Sequence, residues 1–143
     1  NELGKPYHKE IAGKQTVSFN ISHSGEFILE GFAVGMDIGV DVQEMAGCPD
    51  YREIAGNFYT AEEAEDVINE GPELFFQYWA AKEAYVKAIG IGLGRGMDFF
   101  SVRNGEITEK GRKGQGWHLY PVKIEGYAAY VAAHKKGDKS NEL

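Results

Sequence analysis

Residues 72–89, from Pro72 to Ile89, read as one long helix that is apolar nearly all round. Pro72 is placed to open it and Gly90 to end it. Leu74, Tyr78, Ala81 and Tyr85 form one apolar stripe at helical spacing. Phe75, Phe76, Trp79 and Val86 form a second apolar region. Such a helix is buried on both sides, which constrains everything around it. Glu83 and Lys87 fall inside the second region, one turn apart. Burying an acid and a lysine is costly unless each has a partner. A metal for Glu83 and an anion for Lys87 would offset that cost. The alternative is an exposed Glu–Lys pair, worth about a few tenths of a kcal/mol.

Strands are expected on both sides of this helix in sequence. Thr16 to Ser22 alternates and is β-branched, Ser24-Gly25-Glu26 signals a turn, and Phe27 to Ala33 returns as a hairpin. Gly35-Met36-Asp37 breaks the run, and Ile38 to Gln43 forms a third strand. Tyr51 to Phe58 reads as a short helix after Pro49. Thr60 caps another, with Glu63 at the capping-box position, running to Asn69 and stopping at Gly71. After the glycine run 90–96, Phe99 to Arg103, Glu106 to Thr108, Trp117 to Ile124 and Tyr127 to His134 read as strands. Turns at Asn104-Gly105 and Glu125-Gly126 separate them. This order predicts an α+β domain, with an antiparallel sheet packed against the long helix. Residues 16–134 form the domain, 1–15 a leading linker segment and 135–143 a polar tail.

In a strand, Asp41 and Gln43 share one face, while Val40 and Val42 share the other. Side by side they present oxygen ligands of the kind magnesium prefers. Glu44 points to the opposite face. The alternative is an edge strand carrying solvated polar residues. Ser22-His23-Ser24 sits where the hairpin strand meets its turn. His23 there can donate to a phosphate or act as a base near neutral pH. No nucleophile elbow accompanies it, and His8, His118 and His134 lack metal-ligand spacing. The glycine run has a helix before it and a strand after it, the reverse of a dinucleotide fingerprint, so Rossmann and P-loop readings fail.

The net charge of −7 argues against a broad nucleic-acid surface, and an anionic ligand would need a local cationic pocket or a metal. No apolar run reaches the length of a membrane span. The single cysteine, Cys48, rules out an internal disulfide and fits a reducing compartment, the cytoplasm. The first residues, Asn1 to Pro6, carry no signal-peptide core and no starting Met, suggesting a chain that begins inside a longer reading frame.

Four segments, in this order, resemble the 4'-phosphopantetheinyl transferases of the surfactin-synthetase type. They are Gly4-Lys5-Pro6-Tyr7, Phe19-Asn20-Ile21-Ser22-His23-Ser24, Gly39-Val40-Asp41-Val42 and Trp79-x-x-Lys82-Glu83-Ala84-x-x-Lys87. Phe58-Tyr59-Thr60-x-Glu62-Glu63 also resembles the family, and the likeness runs from Gly4 to about Val102. It implies a transferase-like lobe that moves the phosphopantetheine arm of coenzyme A onto a serine of an acyl or peptidyl carrier protein. It further implies magnesium held by Asp41 and Glu83, with Gln43 beside them, and release of 3',5'-ADP. Glu83 would help deprotonate the serine, Lys87 and His23 would contact phosphate oxygens, and Lys5, Pro6 and Ser22 would line the nucleotide pocket. The family often has an acid where this chain has Gln43, whose carbonyl can ligate without adding charge. The family is usually built of two similar lobes, and this chain matches the second with the linker before it. The resemblance therefore implies pairing with a first lobe or with a second copy of the chain. Two other readings compete: a non-catalytic module that binds carrier protein or coenzyme A, and a structural dimerisation domain using the aromatic helix face.

Overall fold

The structure is a computed structural model that describes residues 7–11, 15–91, 96–110, 112–114 and 116–135. Strands β1 (Tyr7–Ile11), β2 (Gln15–Ser24) and β3 (Phe27–Val34) form one antiparallel sheet with β2 in the centre. A second sheet has the order β4 (Met36–Glu44), β8 (Tyr127–Lys135), β7 (Trp117–Pro121). Helices α1 (Tyr51–Phe58), α2 (Ala61–Glu70) and α3 (Pro72–Ile89) lie between β4 and the C-terminal strands in sequence. The short pair β5 (Thr108–Glu109) and β6 (Arg112–Lys113) completes the described elements.

The sheet expected against the long helix is the β4–β8–β7 sheet, and α3 packs on β4 and β8. Burial confirms the two-sided character of α3: every residue from Ala80 to Val86 is buried. The hairpin β2–β3 belongs to the other sheet, which meets β4 rather than extending its sheet. Close approach decides that arrangement. A Cβ at Gly39 would lie 2.1 Å from the Ala84 carbonyl oxygen and 2.6 Å from the Ala88 nitrogen of α3. On the opposite face of β4, a Cβ at Gly31 would lie 2.8 Å from Val40 Cγ1. Thus odd-numbered β4 residues face α3, and Ile38, Val40 and Val42 face the first sheet.

The segment 99–103 differs from its predicted strand. Among the described residues its only ladder contact is a bridge between Ser101 and Thr108, and Arg103–Gly105 forms a 3-10 turn. Phe100 and Val102 are buried in alternation, which produced the strand-like pattern. The backbone groups are instead taken by side chains. Lys82 Nζ donates to the carbonyls of Met97 (2.8 Å) and Phe100, and the Val102 N–H donates to Glu63 Oε2 at 2.7 Å. Two other expected strands are shortened: Trp117–Ile124 ends at Pro121, and Glu106–Thr108 becomes β5. Strands β1 and β6 had no counterpart in the sequence reading.

Glu63 and Lys82 form an ion pair at 2.8 Å with both side chains fully buried. Glu63 also closes the capping box of α2, accepting from the Thr60 N–H at 3.0 Å while Thr60 Oγ1 accepts from Glu63 N at 3.2 Å. One buried pair therefore joins α2, α3 and the segment 97–102. Removing one member leaves the other charge buried and alone. Lys82→Ala is expected to cost about 3–5 kcal/mol in urea unfolding. Glu63→Gln combined with Lys82→Met, which leaves no lone charge and keeps an acceptor for Val102, is expected to lose less than the single variant.

Candidate functional site

The site forms where β4 passes between β2 and α3. β4 is an edge strand of its sheet, so the backbone groups of alternate residues point away from β8. Their partners are side chains of β2. Asn20 Oδ1 accepts from Val40 N–H at 2.9 Å, Ser22 Oγ from Val42 N–H at 3.1 Å, and Ser24 Oγ from Glu44 N–H at 2.8 Å. Lys87 Nζ, from α3, donates to the Val40 carbonyl at 2.9 Å and the Ile21 carbonyl at 3.4 Å.

Asp41 is only 4% exposed, which removes the solvated-edge alternative for this residue. Ser22 Oγ donates to its Oδ1 at 3.2 Å, and Gln43 Nε2 donates to its Oδ2 at 2.8 Å. Lys87 Nζ lies 3.6 Å from Oδ1. Burial outweighs these favourable partners and raises the Asp41 carboxyl to about 6. Glu83 reaches the same place from α3 and is 8% exposed. Its Oε1 is buried with no hydrogen-bond partner. Burial first, and then the Asp41 charge, raise Glu83 to about 7 against the opposing pull of Lys87.

Two carboxyl groups held above their ordinary range, with one oxygen unsatisfied, form an unfavourable arrangement for the protein alone. A hard divalent cation would reverse the sign of their mutual repulsion, and oxygen donors suit it. Among the described residues no group of three or more His, Cys, Asp or Glu side chains could hold a metal. A cation here would therefore take two protein carboxylates and complete its shell with oxygens from water or ligand. The donors fit magnesium, which retains waters and shares phosphates.

The linkage has a definite sign. Both carboxyls bind protons more tightly in the folded chain than in the unfolded one, so the folded state is favoured at low pH. That advantage is complete below about pH 4 and is lost as the pH rises through 6 and 7. The metal-free protein is expected to lose stability over this window relative to an Asp41→Asn, Glu83→Gln double variant. Guanidinium unfolding of both proteins from pH 4 to pH 8 reads the difference.

The structure thus brings Ser22, Asp41, Gln43, Glu83 and Lys87 together. His23 alternates with Ser22 on β2, so its exposed side chain faces away from Asp41. Lys5 and Pro6 lie outside the described residues. The sequence placed Asn20, Ser24 and Gly39 inside the matching segments but gave them no role. The signal for the first two was a polar residue at every second position of β2. For Gly39 it was a glycine in a strand interior, which marks close backbone approach.

The fold is α+β, with a buried acid pair between an edge strand and a long helix. A family model described as the 4'-phosphopantetheinyl transferase superfamily matches residues 37–133. The chain belongs to this superfamily. A putative 4'-phosphopantetheinyl transferase of Synechocystis is 38% identical over 101 residues, covering 66% of this chain and 40% of that protein. A 4'-phosphopantetheinyl transferase of Bacillus pumilus is 33% identical over 107 residues, covering 72% of this chain and 43% of that protein. The chain therefore spans less than half the length of these relatives. The crystal structure of a holo-(acyl-carrier-protein) synthase from Bacillus anthracis, in complex with CoA (3',5'-ADP), shares the fold. It superposes with a TM-score of 0.50 at 21% identity, over 71% of this chain and 96% of that one. Among the described residues no helix is long and apolar enough to cross a membrane.

Proposed function

We propose that this chain is the acid-bearing lobe of a 4'-phosphopantetheinyl transferase. The reaction moves the phosphopantetheine arm of coenzyme A to a carrier-protein serine. The serine oxygen bonds to the phosphorus that carries pantetheine, the bridging bond to the nucleotide phosphate breaks, and 3',5'-ADP leaves. The observation that carries the reading is the buried Asp41–Glu83 pair with its unpartnered oxygen.

Magnesium bound there would neutralise the pyrophosphate and stabilise the leaving phosphate. Asp41 is held in place by Ser22 and Gln43, so its carboxylate is oriented before any ligand arrives. Glu83, buried with its Oε1 unpartnered, would also help take the serine proton, directly or through a water. Lys87 Nζ lies 3.6 Å from Asp41 Oδ1; contact with a phosphate oxygen would replace its longer bond to the Ile21 carbonyl. His23, exposed at the turn end of β2, is assigned to a phosphate oxygen from the solvent side. Lys5, Pro6 and Ser22 are assigned to the nucleotide pocket. Gln43 is assigned to the metal site, with its amide N–H already donated to Asp41.

A partner lobe or a second copy of the chain has a face to cover. Ile21, Ile28, Phe32 and Val34 lie on the outer face of the β1–β2–β3 sheet and are 47%, 69%, 67% and 57% exposed. Glu30 is exposed between Ile28 and Phe32 on this face, and exposed apolar side chains of this size are the kind an interface covers. The same face, together with a neutral Gln43, favours the second reading, a binding module without activity of its own.

The test is to incubate this chain with apo carrier protein, coenzyme A and magnesium, and to weigh the carrier. A mass gain equal to one phosphopantetheine arm is expected. An unchanged carrier beside an active full-length relative would leave the binding-module reading in its place.

A further inference from the structure

Three side chains of β2 stand at two-residue intervals opposite three backbone amides of β4 at the same intervals. The pairs are Asn20 with Val40, Ser22 with Val42 and Ser24 with Glu44, each separated by 20 residues. In a sheet these amides would meet the carbonyls of a neighbouring strand. Here β2 presents its side chains, and its own backbone bonds go to β1 and β3. Two of the three amides flank Asp41 directly. The middle hydroxyl does two things: Ser22 Oγ accepts from Val42 and donates its proton to Asp41 Oδ1.

We propose that Asn20, Ser22 and Ser24 are positioning residues for Asp41, replacing a neighbouring strand along the free edge of β4. An edge strand held only by β8 could slide or twist about that one ladder. The polar row pins it on its second edge. It does so without the bulk of another strand, which leaves the Asp41 face open towards α3. The alternation also separates roles on β2: residues 20, 22 and 24 set the acid, while His23 stays exposed between them. This inference rests on the transferase reading only for its effect on activity. The hydrogen bonds themselves can be tested without it.

The direct test is amide exchange by nuclear magnetic resonance on the metal-free chain. Ser22→Val and Ser22→Thr have nearly the same shape and differ by the hydroxyl. With Ser22→Val, the Val42 amide is expected to exchange about tenfold faster or more, as loss of one such bond implies. Ser22→Thr is expected to restore slow exchange. Asn20→Leu should speed Val40 and leave Val42 slow, and Ser24→Ala should speed Glu44 alone. A functional reading accompanies it. The manganese concentration that broadens the Asp41 and Glu83 signals is expected to rise about tenfold in Ser22→Val and to return in Ser22→Thr.

Equal behaviour of the valine and threonine variants in both measurements would overturn the proposal. So would slow exchange of Val40 in Asn20→Leu. If Asn20→Leu fails to fold, the Ser22 pair and Ser24→Ala still decide the question. Absence of transferase activity in every protein would count against the proposed function and leave the exchange result standing.

Discussion

Alanine at Gly39 is expected to cost about 3 kcal/mol or more and to remove the site with it. The added Cβ would meet the Ala84 carbonyl oxygen at 2.1 Å and the Ala88 nitrogen at 2.6 Å. Both are helix backbone, so no rotamer change relieves the clash. Either α3 shifts away from β4 or the strand bends. Both movements separate Glu83 on α3 from Asp41 two residues along β4. For a chain of this size the loss lowers the melting temperature by roughly 10 °C. Thermal unfolding followed by circular dichroism reads it, and an unchanged midpoint would show that α3 does not rest on the strand as described. Any folded remainder should bind manganese more weakly, because the clash acts on the acid pair through the helix.

Glu83→Gln is expected to move activity and stability in opposite directions. The amide keeps the shape of the side chain and removes the charge that Asp41 repels. Without the carboxylate, the chain loses its proposed cation ligand and proton acceptor. Transfer should fall by about 10²-fold or more, the usual range for a general base. Unfolding at pH 8 in the absence of metal should nevertheless become harder, by about 1–3 kcal/mol, because a buried charge is no longer forced beside another. A structural glutamate would give the reverse: a destabilised protein with proportionate loss of activity. The magnesium dependence separates the two cases further. Magnesium should raise the melting temperature of the parent chain and leave the variant nearly unmoved.

The helices were legible because their signals are local. Tyr51–Phe58 reads as a helix after Pro49, Pro72–Ile89 follows from periodicity, Pro72 and Gly90, and the Thr60–Glu63 capping box set the start of α2. The hairpin β2–β3 followed from alternation around Gly25. Strand β1 did not, because His8, Lys9 and Glu10 give no apolar alternation and its pairing with β2 is a backbone matter. Segment 99–103 misled for the opposite reason. Its alternation is real, but Lys82 and Glu63 take the backbone groups a strand would need. No sequence period links Glu63 to Lys82, since their meeting depends on how α2 packs against α3.

The candidate site divides the same way. Asp41 and Glu83 stood out as acids in apolar surroundings, and the fold brings them together. Asn20 and Ser24 belong to a matching segment but had no legible role, because polar residues at alternate strand positions ordinarily face water. Only the placement of β2 against the edge of β4 turns them inward. Lys87 was legible as a buried cation, but not its bonds to the carbonyls of Ile21 and Val40, which belong to two different sheets.

The central claim is that Asp41 and Glu83 serve one cation. A crystal structure of this chain grown with coenzyme A and manganese tests it most directly through the anomalous signal of the metal. The expected result is one peak between the two carboxylates, with Glu83 Oε1 among its ligands and the coenzyme A pyrophosphate completing the shell. Bound coenzyme A with no metal at Asp41, or with Glu83 Oε1 still unliganded, would contradict the account.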